Sequence, residues 1–158
     1  MNFDHIDTTI MTLGERKIPS PIKRGEKESL SGIFVSDSDK VLIDVRLNNL
    51  LSMIQDKKDF CCFELAGPRS KIYFDPSKLR CGLVTCGGLC PGLNDIIRAI
   101  VLELYYGYGV NNICGFKYGL QGFIPKYRHD IVDLKPKTVV DILDMGGSIL
   151  GSSRGPQP

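Results

Sequence analysis

The sequence predicts an α/β fold, a Rossmann-like parallel-sheet unit over residues 60–158 preceded by an α+β N-terminal extension over residues 1–59. Three observations carry that expectation. The run LRCGLVTC at 79–86 is almost unbroken in apolar character, as suits a strand covered on both faces in a parallel sheet. A glycine loop and then a segment of helical apolar period follow it. Composition also shifts near residue 80: residues 1–80 hold 25 of the 38 charged side chains, while 13 of the 17 glycines lie after Cys81. A polar leading segment thus gives way to a glycine-punctuated unit.

Within the extension, residues 1–30 read as loosely structured, because Pro19, Pro21 and a Lys/Arg/Glu mixture leave little to bury. Ile33–Val35 and Val41–Val45 are β-rich, and Asp37-Ser38-Asp39-Lys40 between them suits a hairpin turn. Leu47, Leu50, Leu51 and Ile54 fall at the spacing of a short amphipathic helix. Phe60–Leu65 reads as a further strand, broken by Gly67-Pro68.

In the second part, Leu79–Cys86 is the strongest strand. A helix from about Pro91 to Tyr106 follows, with Leu93, Ile96, Ile97, Ile100, Val101 and Leu104 along one face and Pro91 in its first turn. Gly107 and Gly109 end it, and Val110–Phe116 is the next strand, so a right-handed βαβ crossover is expected. A loop rich in Gly, Pro and aromatics leads to a second short helix at Thr138–Met145. Gly146-Gly147 closes that helix, and a strand-sized stub follows at Ser148–Leu150.

A chain of 158 residues allows one ordinary domain with an added segment. At 42% apolar and 24% charged it is neither disordered nor fibrous. A net charge of +2 supplies no field that would call for nucleic acid or a membrane surface as partner. No apolar run approaches the roughly 18–20 residues of a bilayer span, and MNFDHIDTTI lacks the apolar core of a secretory signal. The expected location is cytoplasmic. Cys61, Cys62, Cys81, Cys86, Cys90 and Cys114 show no CxxC spacing, and His5 and His129 lie far apart. Reduced thiols packed as small hydrophobes, with no metal centre, are therefore expected.

Chemistry concentrates in two loops. Gly87-Gly88-Leu89-Cys90-Pro91-Gly92 lies between the buried strand and a helix N-terminus. There, glycines let a ligand approach the main chain and the helix dipole favours an anion, with phosphate the natural guest. Neither standard template is met: Leu93 and Asn94 stand where a Walker A loop needs Lys and Ser/Thr, and Gly87 and Gly88 are adjacent, unlike GxGxxG. A purely structural βα turn is the alternative. The second loop is Gly151-Ser152-Ser153-Arg154-Gly155. Loops at strand C-termini share one edge of a parallel sheet, so Arg154 is expected to face the same crevice as Gly87-Gly88. Its fork suits a phosphate chain; a solvated surface arginine is the plain alternative.

AGPRSKIYFDP at 66–76, TCGGLCPGLNDIIRAIV at 85–101 and GGSILGSSRGPQ at 146–157 together closely resemble the 6-phosphofructokinases. The resemblance is to the long-chain branch of some bacteria, protists and plants. It covers roughly residues 60–158, and the short bacterial enzymes carry Asp and Ala where Leu89 and Cys90 stand. It implies transfer of the ATP γ-phosphoryl group to the 1-hydroxyl of fructose 6-phosphate, a step of glycolysis, with Mg²⁺ as cofactor. A pyrophosphate donor is the close rival, though GSSRG is worded more like the ATP-using members.

By position, the resemblance makes Gly88 the residue whose backbone approaches the ATP phosphates, and Arg154 and Gly155 the next nucleotide-contacting pair. Arg98 matches one arginine of the allosteric nucleotide site in short enzymes, but Leu102 replaces its partner arginine. Arg98 is therefore read as a helix-surface residue beside Asp95. The family's magnesium loop of GGDG type and its catalytic aspartate in a TIDND-type segment do not occur in these residues. The chain is thus expected to be an N-terminal portion, with no catalytic or metal-binding residue of its own, of a protein that forms homo-oligomers (dimers or tetramers).

Overall fold

The computed structural model describes residues 6–22 and 34–155. The chain divides into two compact units, Met1–Tyr73 and Phe74–Pro158. The expected start of the second domain, residue 60, falls inside the first unit, because the strand at Cys62–Glu64 pairs there.

Among its described residues, the first unit holds two small antiparallel ladders. Strand β1 (Ile18–Pro19) pairs with β4 (Lys71–Ile72), and β2 (Lys40–Leu42) pairs with β3 (Cys62–Glu64). Between β2 and β3 runs helix α1 (Leu47–Gln55), the amphipathic helix that the leucine spacing predicts. The expected hairpin of 33–35 with 41–45 does not form. Ile33 lies outside the described residues, and the Val35 amide bonds the Pro68 carbonyl at 2.9 Å. The turn itself is present, held by the Ser36 amide donating to Asp39 Oδ2 at 2.8 Å, but β2 leaves it to meet β3. Asp37 bonds both Arg16 (2.5 Å) and Arg69 (2.9 Å), tying three distant stretches of this unit. Of the segment expected to be loose, residues 18–19 are strand, and 1–5 and 23–30 lie outside the described residues.

The second unit is a mixed α/β arrangement around one three-stranded sheet of order β5-β6-β7. Strand β5 (Arg80–Val84) runs parallel to β6 (Asn112–Phe116), with Cys81 opposite Ile113 and Val84 opposite Phe116. Helix α2 (Leu93–Leu102) connects them, so the predicted βαβ connection is present. The sheet is not wholly parallel. Strand β7 (Ile131–Asp133), which sequence reasoning left within a loop, adds antiparallel to β6. Nor is β5 covered on both faces, since Arg80 and Gly82 are exposed while Cys81, Leu83 and Val84 are half-buried.

Helix α2 begins later than expected. Gly92 is its N-cap at φ +84°, which leaves Pro91 before the first turn instead of in it. The helix then widens into a π-helical turn at Glu103–Gly107, closed by the Tyr108 amide donating to the Glu103 carbonyl at 3.0 Å.

The core lies where α2 meets the sheet and the following segment: Ile97, Val101, Val110, Ile113, Leu134, Val139, Ile142 and Leu150 are buried together. Each such side chain stabilises the unit by about 1.5–3 kcal/mol relative to exposure. The helix expected at Thr138–Met145 is only a 3₁₀ turn, Pro136–Val139, followed by turns. The β-branched run Thr138-Val139-Val140 disfavours an α-helix, and the buried pair Val139 and Ile142 suits a three-residue period. Ser148–Leu150 is likewise no strand. Its backbone is committed elsewhere, with the Leu150 carbonyl accepting from the Tyr118 amide at 2.7 Å and the Gly151 amide donating to Ser148 at 3.0 Å. Gly115 on β6 lets Leu150 pack directly on the strand: a β-carbon at Gly115 would fall within 3.2 Å of Leu150 Cδ1.

Candidate functional site

The glycine loop leaves the C-terminal end of β5, and the Gly151–Gly155 loop is laced to it by hydrogen bonds. The Gly87 amide donates to the Ser153 carbonyl (3.1 Å), and the Ser152 hydroxyl donates back to the Gly87 carbonyl (2.5 Å). One step earlier, the Thr85 hydroxyl donates to the Gly151 carbonyl (2.5 Å) and lies 2.9 Å from the Ser148 hydroxyl. Tyr118 and Gly119, both left-handed (φ +59° and +62°), form the third wall. There is no room for a side chain at 119, because a β-carbon would stand 2.9 Å from the Ser153 amide nitrogen.

This lacing brings Gly88 and Arg154 together. A β-carbon built on Gly88 would collide with Nη2 of Arg154 and stand 3.3 Å from its Cζ. The guanidinium therefore rests on the bare main chain of Gly88. Gly155 follows at φ +77°, and among the described residues, its chain neighbours aside, no atom lies within 4 Å of where a side chain would start. The expectation that Arg154 shares an edge with Gly87-Gly88 agrees with this placement. Although Arg154 is exposed, it is not a side chain waving in solvent.

Among the described residues, the amides of Gly88, Leu89, Cys90 and Gly92 donate to no protein acceptor, while the Gly87 amide is spent on Ser153. These donors, the positive end of α2 and the guanidinium are groups of the kind that can receive an anion. Asp95 sits in the first turn of α2, its Oδ2 3.7 Å from where a Gly92 β-carbon would be. Its carboxylate offsets the positive end of the helix dipole locally.

Two residues depart from expectation in instructive ways. Arg98 is half-buried on α2, and its Nε is buried without a hydrogen-bond partner among the described residues. Asn94, noticed only for failing the Walker template, is 2% exposed and uses both ends of its amide, Nδ2 to the Met145 carbonyl and Oδ1 from the Ile149 amide, each at 2.8 Å. The signal was available: Asn94 shares the face of Ile97 and Val101, where a polar residue must be partnered.

The thiols also divide. Cys114 is buried and Cys81 packs against the core, where burial pushes its thiol pKa up. Cys86 and Cys90, expected to pack as small hydrophobes, are exposed, Cys86 just before the glycine loop and Cys90 within it. No group of three His, Cys, Asp or Glu that could hold a metal gathers among the described residues. No helix there is long and apolar enough to cross a membrane. A separate cavity of about 580 Å³ in the first unit is lined by Arg16, Asp37, Arg69 and Tyr73, and its arginines are already paired with acids.

The fold and the loop geometry define a class: a mixed α/β protein whose glycine loop, between a parallel strand and a helix, is capped by an arginine from a second loop. Comparison with known proteins narrows it. The phosphofructokinase family model matches residues 80–158. Over 152 residues, 96% of this chain, the sequence is 43% identical to the ATP-dependent 6-phosphofructokinase of Amycolatopsis methanolica and 42% identical to that of Borreliella burgdorferi. Over 94 residues, 60% of this chain and 21% of the relative, it is 52% identical to the enzyme of the same name from Entamoeba histolytica. The chain belongs to the phosphofructokinase family. It spans about a third (33%) of the length of the first two relatives.

Proposed function

We propose that the protein carrying this chain is an ATP-dependent 6-phosphofructokinase that phosphorylates fructose 6-phosphate to fructose 1,6-bisphosphate, and that Gly88, Arg154 and Gly155 form part of its nucleotide phosphate cradle. The observation that carries the reading is the seating of the Arg154 guanidinium on Gly88. In this reading the polyphosphate takes the outward amides of the glycine loop, and the Arg154 fork offsets its negative charge. Gly155 keeps the far side clear for the rest of the nucleotide. The parallel β5–β6 pair is then the start of a larger Rossmann-like sheet, with residues 1–59 as an extension ahead of it.

ATP is favoured over pyrophosphate as donor because the relatives quoted above are named as ATP-dependent. Magnesium, which the family implies, finds no fitting set of side chains among the described residues. Neither a GGDG-type nor a TIDND-type segment occurs in the 158 residues, which favours the second reading for this stretch alone: an anion-binding piece without catalysis.

A coupled assay tests both. Protein from the whole reading frame, given ATP, Mg²⁺ and fructose 6-phosphate, is expected to form fructose 1,6-bisphosphate, and pyrophosphate is not expected to replace ATP. The 158-residue chain alone is expected to form none above a tag-only control. Turnover with pyrophosphate but not ATP would overturn the donor assignment, and no turnover with either would overturn the enzyme reading.

A further inference from the structure

We propose that Asn94 is a positioning residue for the phosphate cradle, clamping the 145–149 turn onto the start of α2 so that Arg154 comes to rest on Gly88. The proposal rests on the phosphate reading above and deepens it. Asn94 is the second residue of α2, immediately after the glycine loop. The turn that it holds runs directly into Gly151–Gly155. One planar amide therefore links the two loops of the cradle from their buried side, joining a point six residues past Gly88 to Ile149, five residues before Arg154.

The chemistry demands this side chain. The Met145 carbonyl needs a donor and the Ile149 amide needs an acceptor, and both meet Asn94 at 2.8 Å. Asparagine supplies both from one rigid group. Aspartate retains the acceptor but turns a second oxygen toward the Met145 carbonyl, and leucine supplies neither. Between the clamped ends, Gly147 holds φ +79°, with open space where a side chain would start.

The test uses protein from the whole reading frame, with Asn94→Asp as the main variant and Gly147→Ala as a milder one that strains the same turn without touching the core. Binding of ATP by calorimetry and the KM and kcat of the coupled reaction are read alongside the melting temperature. Asn94→Asp is expected to weaken ATP affinity and raise the ATP KM tenfold or more, while kcat and the fructose 6-phosphate KM stay within twofold. Gly147→Ala is expected to shift the ATP terms in the same direction by a smaller factor. Unchanged ATP affinity in a folded Asn94→Asp protein overturns the proposal. So does a parallel loss in both substrates that tracks the melting temperature, which marks a merely structural role. If Asn94→Asp does not fold, Gly147→Ala decides by the same readings. Arg154→Ala separates the two ideas: if it leaves ATP affinity unchanged, the phosphate reading falls, and if it weakens ATP while Asn94→Asp does not, only the clamp falls.

Discussion

The Arg154 guanidinium lies on the bare backbone of Gly88, so close that a single β-carbon there would strike it. Two neighbouring glycines thus serve different needs. Gly87 holds φ +91° with nothing within 4 Å, so its requirement is conformational; Gly88 has no left-handed angle, and its requirement is space. The space that Gly88 leaves is taken by the Arg154 guanidinium, where a side chain at 88 would displace it.

Gly88→Val follows directly. The fold is expected to persist, because the backbone angle at 88 suits any residue and Arg154 has a flexible side chain that can move aside. The ATP KM is expected to rise roughly tenfold or more, the cost of a displaced charge-assisted contact. Steady-state kinetics with a melting curve checks it, and an unchanged ATP KM at normal expression would rule out the loop's role.

Arg154→Ala removes the fork itself. A hydrogen bond to a charged group contributes about 1.5–3 kcal/mol, so ATP binding is expected to weaken by one to two orders of magnitude. Arg154→Lys keeps the charge but loses the planar fork, and should recover only part of that loss. Calorimetric titration of the three proteins with ATP gives the ranking. Equal affinities would make Arg154 mere surface.

Much of this arrangement was legible in the sequence because it rests on local patterns. The apolar run of β5, the glycine loop and the period of α2 each needed only neighbouring residues to be read. So did the prospect that Arg154 meets Gly87-Gly88, once strand and helix alternated. What could not be read depended on partners distant in sequence. Strand β7 is three residues long and exists because β6 offers it a ladder. Ser148–Leu150 has strand-like composition, yet Asn94 and Tyr118 take its backbone groups. The Val35 amide likewise found Pro68 instead of a hairpin partner.

Asp37 predicts an acid-sensitive first unit. The Arg69 guanidinium foremost, with Arg16, holds its carboxyl below the ordinary carboxylate value. A depressed folded pKa stabilises above the unfolded value, about 3.9, and the contribution is lost as pH falls through the folded value. Wild type is therefore expected to melt above Asp37→Asn at neutral pH, with the gap closing as pH drops below about 4. Melting curves across that range check it; a gap independent of pH would contradict the pairing.

The thiols should react in two groups. At neutral pH, alkylation of the folded protein followed by peptide mass spectrometry is expected to label Cys86 and Cys90 first, since both are exposed. Buried Cys114, and Cys81 with its raised pKa, should label only on unfolding. ATP is expected to slow the labelling of Cys86 and Cys90, because its phosphates would lie between them. Equal rates with and without ATP would count against that placement.

The most direct measurement is a crystal structure of the protein grown with ATP. The account predicts phosphate oxygens within hydrogen-bond distance of the Gly88 main-chain nitrogen and the Arg154 guanidinium. A nucleotide bound elsewhere, with the 87–92 bend still covered by Arg154, would contradict it.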